Sequence, residues 1–130
     1  MTNPTARKVI IDTDPGQDDA VAILLALASP EEIDLLGITC VAGNVPLSRT
    51  EANARIICEV AGRRDVKVFA GRAAPLSRAL VTAEQVHGKT GLDGPDPFEP
   101  TMLLQPQNGV DFIIDTLRSE APGTVTLCPL

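Results

Sequence analysis

The stretch Val9-Ile10-Ile11-Asp12-Thr13-Asp14-Pro15-Gly16-Gln17-Asp18-Asp19-Ala20-Val21-Ala22-Ile23 decides the architecture. Val9 to Ile11 is a short apolar, β-branched run that halts at a Pro-Gly turn, which reads as a strand and its exit. From Asp18 onward Ala and Leu dominate, two carboxylates occupy the first turn where the helix dipole favours them, and Pro30 closes the segment. That is a helix, and its nearly all-round apolarity predicts that it is largely buried.

Outward from this unit the same alternation repeats. Ile33 to Ala42 reads as a second strand ending at Gly43-Asn44. Ser48-Arg49-Thr50-Glu51 has the spacing of a capping box. The helix it opens is expected to place Ala52, Ile56, Ile57 and Val60 on one inward face, with Gly62 at its end. Val66 to Ala70 is a third strand. Asn108 can cap a further helix with Val110, Ile113, Ile114 and Leu117 inward, and Thr124 to Cys128 is a fourth strand. Between them, residues 72–107 hold Pro75, Pro95, Pro97, Pro100 and Pro106, with one short helical turn expected around Ala83 to Val86. A stretch of that length inside a compact domain is usually functional.

Strands joined by helices predict an α/β, Rossmann-like fold: a mainly parallel sheet with flanking helices and right-handed crossovers. Ligands in such sheets sit beyond the carboxyl ends of the strands, where this chain carries Asp12, Asp14, Asn44 and Arg72. The 130 residues suit one domain, and 44% hydrophobic residues supply its core. Because the chain stops directly after an expected buried strand, residues 1–130 read as the amino-terminal part of a larger single domain.

A formal charge of −6, no Trp or Tyr and no basic run argue against nucleic acid as a partner. The apolar run Ala20 to Ala28 is too short to span a bilayer, and no signal peptide is read at the start, so no membrane partner is expected. Cys40, Cys58 and Cys128 are far apart without a Cys-x-x-Cys pair, which indicates free thiols in a reducing cytoplasm.

Asp12, Asp14, Asp18 and Asp19 crowd around the turn. Side chains alternate along a strand, so Asp12 and Asp14 share a side, and the turn brings the helix start back to face them. Ionising four neighbouring carboxylates is costly without a cation, and oxygen-only ligands suit Ca²⁺ or Mg²⁺ over zinc. The plainer reading makes Asp18 and Asp19 helix N-terminal charges, but leaves the two strand acids unexplained. An EF-hand loop counted from Asp12 fails, since Gln17 and Ile23 stand where Gly and Glu are needed. A phosphatase-like Asp-x-Asp site with Asp12 as nucleophile remains an alternative. No Gly-rich phosphate loop or dinucleotide fingerprint is present.

Ile11 to Ile23 closely resembles the opening motif of the inosine-uridine nucleoside hydrolase family. The resemblance continues through Gly37-Ile38-Thr39-Cys40-Val41-Ala42-Gly43-Asn44, Asn53-Ala54-Arg55, Val68-Phe69-Ala70-Gly71 and Val86-His87-Gly88-Lys89-Thr90-Gly91-Leu92-Asp93-Gly94. It implies hydrolysis of the N-glycosidic bond of ribonucleosides to base and ribose, with a tightly held Ca²⁺ and a calcium-bound water. By matching positions, Asp14 and Asp19 look like metal ligands, joined by the main-chain carbonyl of Leu130. Asp14 would also take the water proton, Asp18 would bind the ribose 2′-hydroxyl, Asn44 would lie against the ribose, and Asp12 would orient the cluster from behind. His87, the single histidine, matches a loop residue that helps protonate the leaving base in some members, on a segment able to act as a lid. Read from the residues alone, a lone loop histidine is simply solvated.

Arg72 and Lys89 read as surface charges, Asn53 and Arg55 as helix-to-loop packing, Met102-Leu103-Leu104 as a core or subunit contact, and Cys40 and Cys128 as residues packed in the sheet. The resemblance further implies a homo-oligomer, dimer or tetramer, when full length. The isolated chain is expected to have little activity, and a truncated, non-catalytic ribose- or metal-binding fragment is the remaining alternative.

Overall fold

The computed structural model describes residues 3–94 and 98–130; Met1, Thr2, and Pro95 and Pro97 of the proline-rich segment lie outside the described residues. The elements follow in the order β1 (Arg7–Thr13), α1 (Gln17–Leu27), β2 (Ile33–Cys40), α2 (Leu47–Val60), β3 (Val68–Ala70), α3 (Glu84–His87), α4 (Gly109–Ser119) and β4 (Val125–Pro129). The strands form a four-stranded sheet in the order β3-β2-β1-β4, and every pairing is parallel. The expected α/β architecture is therefore present. The chain builds outward from β1 to β3, then returns to place β4 on the other side of β1. The strand order reverses between β1 and β4, which opens the crevice where such sheets take ligands.

Right-handed crossovers place α1 and α2 on one face and α4 on the other. On the first face Ile11, Ile23, Ile38, Ala54, Cys58 and Val68 form the core. Ile23 and Ile38 are wholly inaccessible to solvent, each contributing about 1.5–3 kcal/mol by leaving water. On the second face Phe112 of α4 stacks on Phe69 of β3, with ring centroids 3.9 Å apart and planes inclined by 13°. Gly37 makes room for this stack, because a Cβ there would lie 2.9 Å from the Phe112 ring. The register of β2 against β1 slips beside it, as Val9 pairs with Leu35 and Ile10 with Gly37, so Leu36 is the extra residue of a bulge.

Several expectations are corrected. In α1 only Asp19, Ile23, Ala26 and Leu27 are buried, while Val21 and Leu25 are each 67% exposed. Uniform apolarity does not say which side a helix buries, and here the sheet and α2 cover one side only. In α2 the buried set is Thr50, Asn53, Ala54, Ile57 and Cys58, whereas Val60 is exposed. The Ser48–Glu51 capping box does not form. The helix starts two residues earlier, with Pro46 as N-cap and no side-chain cap, and Glu51 instead accepts from Arg55. Asn108 does cap α4, its side-chain oxygen accepting from the Val110 amide at 2.9 Å. Val110, Ile114 and Leu117 are nonetheless exposed, because α4 packs chiefly against β2 and β3. Cys40 and Cys58 are buried free thiols, while Cys128, on the half-covered β4, is intermediate. Among the described residues no helix is long and apolar enough to cross a membrane.

Burial raises the Cys58 thiol to about 11 and raises Cys40 as well. Thiolate is the reactive species. At pH 8 a thiol reagent should therefore modify Cys128 in the folded chain and reach Cys40 and Cys58 only in denaturant. Peptide mapping by mass spectrometry checks this, and equal native labelling of all three would contradict the packing.

Candidate functional site

The acidic cluster lies where β1 ends, beside the reversal in strand order. Asp14 leaves the strand half-buried and is held from the loop after β2. Its Oδ2 accepts from the Asn44 amide at 2.8 Å, and the Asn44 side-chain Nδ2 donates to the Asp14 carbonyl at 2.9 Å. Gly43 permits this approach, since any Cβ there would overlap the Asp14 carboxylate. Asp12 accepts from Thr39 Oγ1 at 2.6 Å, so its carboxylate is tied to the neighbouring strand. That bond occupies one oxygen of the candidate phosphatase nucleophile and gives Asp12 a supporting place. Thr13, between the two acids, alternates to the helical face and is buried, its hydroxyl finding no partner among the described residues.

Gly16 is the N-cap of α1. The Asp19 Oδ2 reaches back to its amide at 3.2 Å, so the plain capping role is real for one oxygen of Asp19. Asp19 is buried, and its carboxyl is held above the usual aspartate range. The main cause is burial, reinforced by Asp14 and Asp18 and opposed by the Gly16 amide and His87. Asp18, one position earlier, is exposed. Leu130 follows β4, and its amide donates to the Asp12 carbonyl at 2.9 Å, which brings residue 130 to the tip of β1.

The proline-rich segment folds back over this corner. The Ala83 amide donates to the Asn44 carbonyl at 2.8 Å and α3 follows at once. His87 ends that single turn with its Nδ1 2.8 Å from Gln17 Oε1. Its ring rests directly on Gly16, where a Cβ would lie 2.6 Å from Nδ1 and 2.9 Å from Cε1. Beyond it, buried Asn53 donates through Nδ2 to the Pro15 carbonyl at 3.1 Å and to the Thr90 carbonyl at 2.7 Å. Arg55 donates to the Met102 carbonyl at 2.8 Å, so both residues are the helix-to-loop fasteners expected of them. Met102 is buried and Leu103 is 85% exposed. Arg72 and Lys89 are exposed.

Asp12, Asp14, Asp18, Asp19, Asn44, His87 and Leu130 thus lie around one corner of the sheet. The donor chemistry fits a hard cation: the atoms are oxygens, and Asp19 carries a charge that burial and like-charged neighbours disfavour. Among the described residues no three His, Cys, Asp or Glu side chains converge on one point. The cluster therefore fits an ion as a partial set, with two carboxylates completed by main-chain oxygens, water or ligand hydroxyls, as calcium accepts. Gln17 carried no assignment from the sequence, and Asn53, expected to pack helix to loop, also holds the Pro15 turn. A mainly apolar hollow of about 230 Å³ beside α2, lined by Ala52, Ile56, Val60, Leu92 and Phe98, also touches Asn53 and Thr90.

The profile described as inosine-uridine preferring nucleoside hydrolase matches residues 9–130. An uncharacterised protein of Schizosaccharomyces pombe is 54% identical over 123 residues, covering 95% of this chain and 39% of that protein. The pyrimidine-specific ribonucleoside hydrolase RihA of Photobacterium profundum is 47% identical over 124 residues, with the same coverages. Among solved structures, a plant nucleoside hydrolase superposes with a TM-score of 0.86 at 38% identity, covering 95% of this chain and 39% of its own. The chain spans about two-fifths of the length of the relatives it matches.

The contact between His87 and Gly16 is open to test. Gly16→Ala should push the ring off the turn and break its bond to Gln17, seen as a large change in the imidazole resonances of the one histidine. An unchanged spectrum would show that the ring does not rest there.

Proposed function

Because this chain belongs to the inosine-uridine preferring nucleoside hydrolase family, we propose that it forms part of an enzyme that hydrolyses the N-glycosidic bond of ribonucleosides to free base and ribose. The observation that carries this reading is the meeting of an aspartate cluster with His87 at the reversal in strand order. On this reading the aspartates supply a proton acceptor and His87 a proton donor at one corner. Breaking the bond leaves a ribosyl cation, which anionic groups beneath the sugar stabilise.

In this proposal Asp14 accepts the proton of the attacking water, and its hydrogen bonds to Asn44 fix the angle at which its carboxylate presents. Asp18, exposed on the first turn of α1, accepts a hydrogen bond from the ribose 2′-hydroxyl. Asn44 lies against the ribose, and Asp12, tied to Thr39, steadies the strand end. His87 delivers a proton to the departing base. Asp14, Asp19 and the Leu130 carbonyl would hold Ca²⁺. When bound, such an ion would supply Lewis-acid chemistry, polarising substrate oxygens and making a coordinated water more acidic. Three free thiols support a cytoplasmic protein, and we extend the reading to a homo-oligomer when full length.

The test uses full-length protein with inosine, uridine and their 2′-deoxy analogues. Asp14→Asn should lower turnover by about 10²-fold or more while ribose binding survives in part. Asp18→Ala should erase the preference for ribo- over deoxyribonucleosides. Base release by Asp14→Asn at the parent rate would overturn the assignment of the proton acceptor.

A further inference from the structure

His87 is the one histidine of the chain, and Gln17 is the first residue of α1, 70 positions away in sequence. Their side chains meet at 2.8 Å through Nδ1 and Oε1. A carbonyl oxygen only accepts, so this bond exists when Nδ1 carries a hydrogen. The other ring nitrogen, Nε2, makes no hydrogen bond among the described residues. With Nδ1 protonated, Nε2 offers a lone pair in the neutral ring and an N–H in the imidazolium. It is then the one ring position that exchanges a proton.

We propose that Gln17 is a positioning residue that fixes the tautomer and ring orientation of His87, leaving Nε2 to serve the leaving base. The inference rests on the assignment of His87 made above and deepens it. The backbone on both sides of the histidine is already tethered, through the Ala83 amide to Asn44 and through the Thr90 carbonyl to Asn53. The ring's flat side is set by Gly16, whose missing side chain lets the imidazole lie on the turn. What these contacts leave free is rotation of the ring about its own bond, which would exchange Nδ1 with Cδ2 and Nε2 with Cε1. Gln17 removes that freedom, because only one of the two rotations puts an N–H against its oxygen. The state of one ring nitrogen is set by the hydrogen bond the other makes, so the Nδ1 bond to Gln17 decides what Nε2 presents.

Two measurements test this separately. In the chain labelled with ¹⁵N-histidine, the single imidazole in its neutral form should carry its hydrogen on Nδ1. Gln17→Leu should move it to Nε2, the site a free imidazole favours, while Gln17→Glu, which keeps an acceptor, should leave it on Nδ1. A tautomer unchanged in Gln17→Leu would overturn the proposal. In kinetics on the full-length protein, Gln17→Leu should lower kcat for inosine and uridine on the order of tenfold, within the range of general acid catalysis, with KM little altered and Gln17→Glu largely rescued. With p-nitrophenyl riboside, whose phenolate departs without a proton, Gln17→Leu and His87→Ala should each lose less relative to the parent than they lose with inosine. If His87→Ala is harmless to nucleoside turnover, the role given to His87 fails. If His87→Ala is slow and Gln17→Leu is not, that role stands and the positioning by Gln17 is refuted.

Discussion

Like charges confined to one strand tip dominate this molecule. Asp12, Asp14, Asp18 and Asp19 cannot share a corner unless each is given its own compensation. Asp12 is bonded to Thr39 and Asp14 to the Asn44 amide. Asp19 turns one oxygen to the Gly16 amide at the positive end of α1. Asp18 remains in solvent. The loops that supply these partners are placed where they are because the parallel sheet delivers every strand end to the same side. Without the sheet order β3-β2-β1-β4, Thr39 and Asn44 would not stand beside the acids.

The double life of Asp19 clarifies how a structural and a chemical role coexist. A carboxylate has two oxygens, and the cap uses one of them. Capping stabilises the start of α1 by about 1 kcal/mol, which is small beside the cost of burying an unpaired charge. The upward displacement of the Asp19 carboxyl reflects that imbalance. An arrangement that only needed a cap would have gained more from an exposed acid.

The fold was legible because strand, turn and helix signals agree at Val9–Ala28 and recur at regular intervals. The strand-tip acids were legible for the same reason, since alternation in β1 leaves them no other place. Facing was harder. In α2 both Ala52-Ile56-Val60 and Ala54-Ile57-Cys58 have helical spacing, and only the direction of the sheet selects the second. Ser48–Glu51 matched a capping box, but Pro46 starts the helix earlier and Arg55 takes the glutamate. The exposed faces of α1 and α4 follow from what covers them, a tertiary fact that no periodicity encodes. Gln17 with His87, and Asn53 with Pro15 and Thr90, are long-range polar pairs. Each residue alone resembles an ordinary solvated or packing side chain, so nothing local marks the pair.

Asn53 spends both hydrogens of one amide nitrogen on two carbonyls belonging to separate segments. The turn at Pro15 and the segment at Thr90 are thereby fastened to the same rigid post on α2. Letting go of Thr90 alone forfeits a single hydrogen bond, on the order of 1 kcal/mol. The Ala83 amide on Asn44 and the His87 ring on Gln17 add to that bond, so the segment and the aspartate-bearing turn are held together at more than one point, and a change at Asn53 reaches both at once.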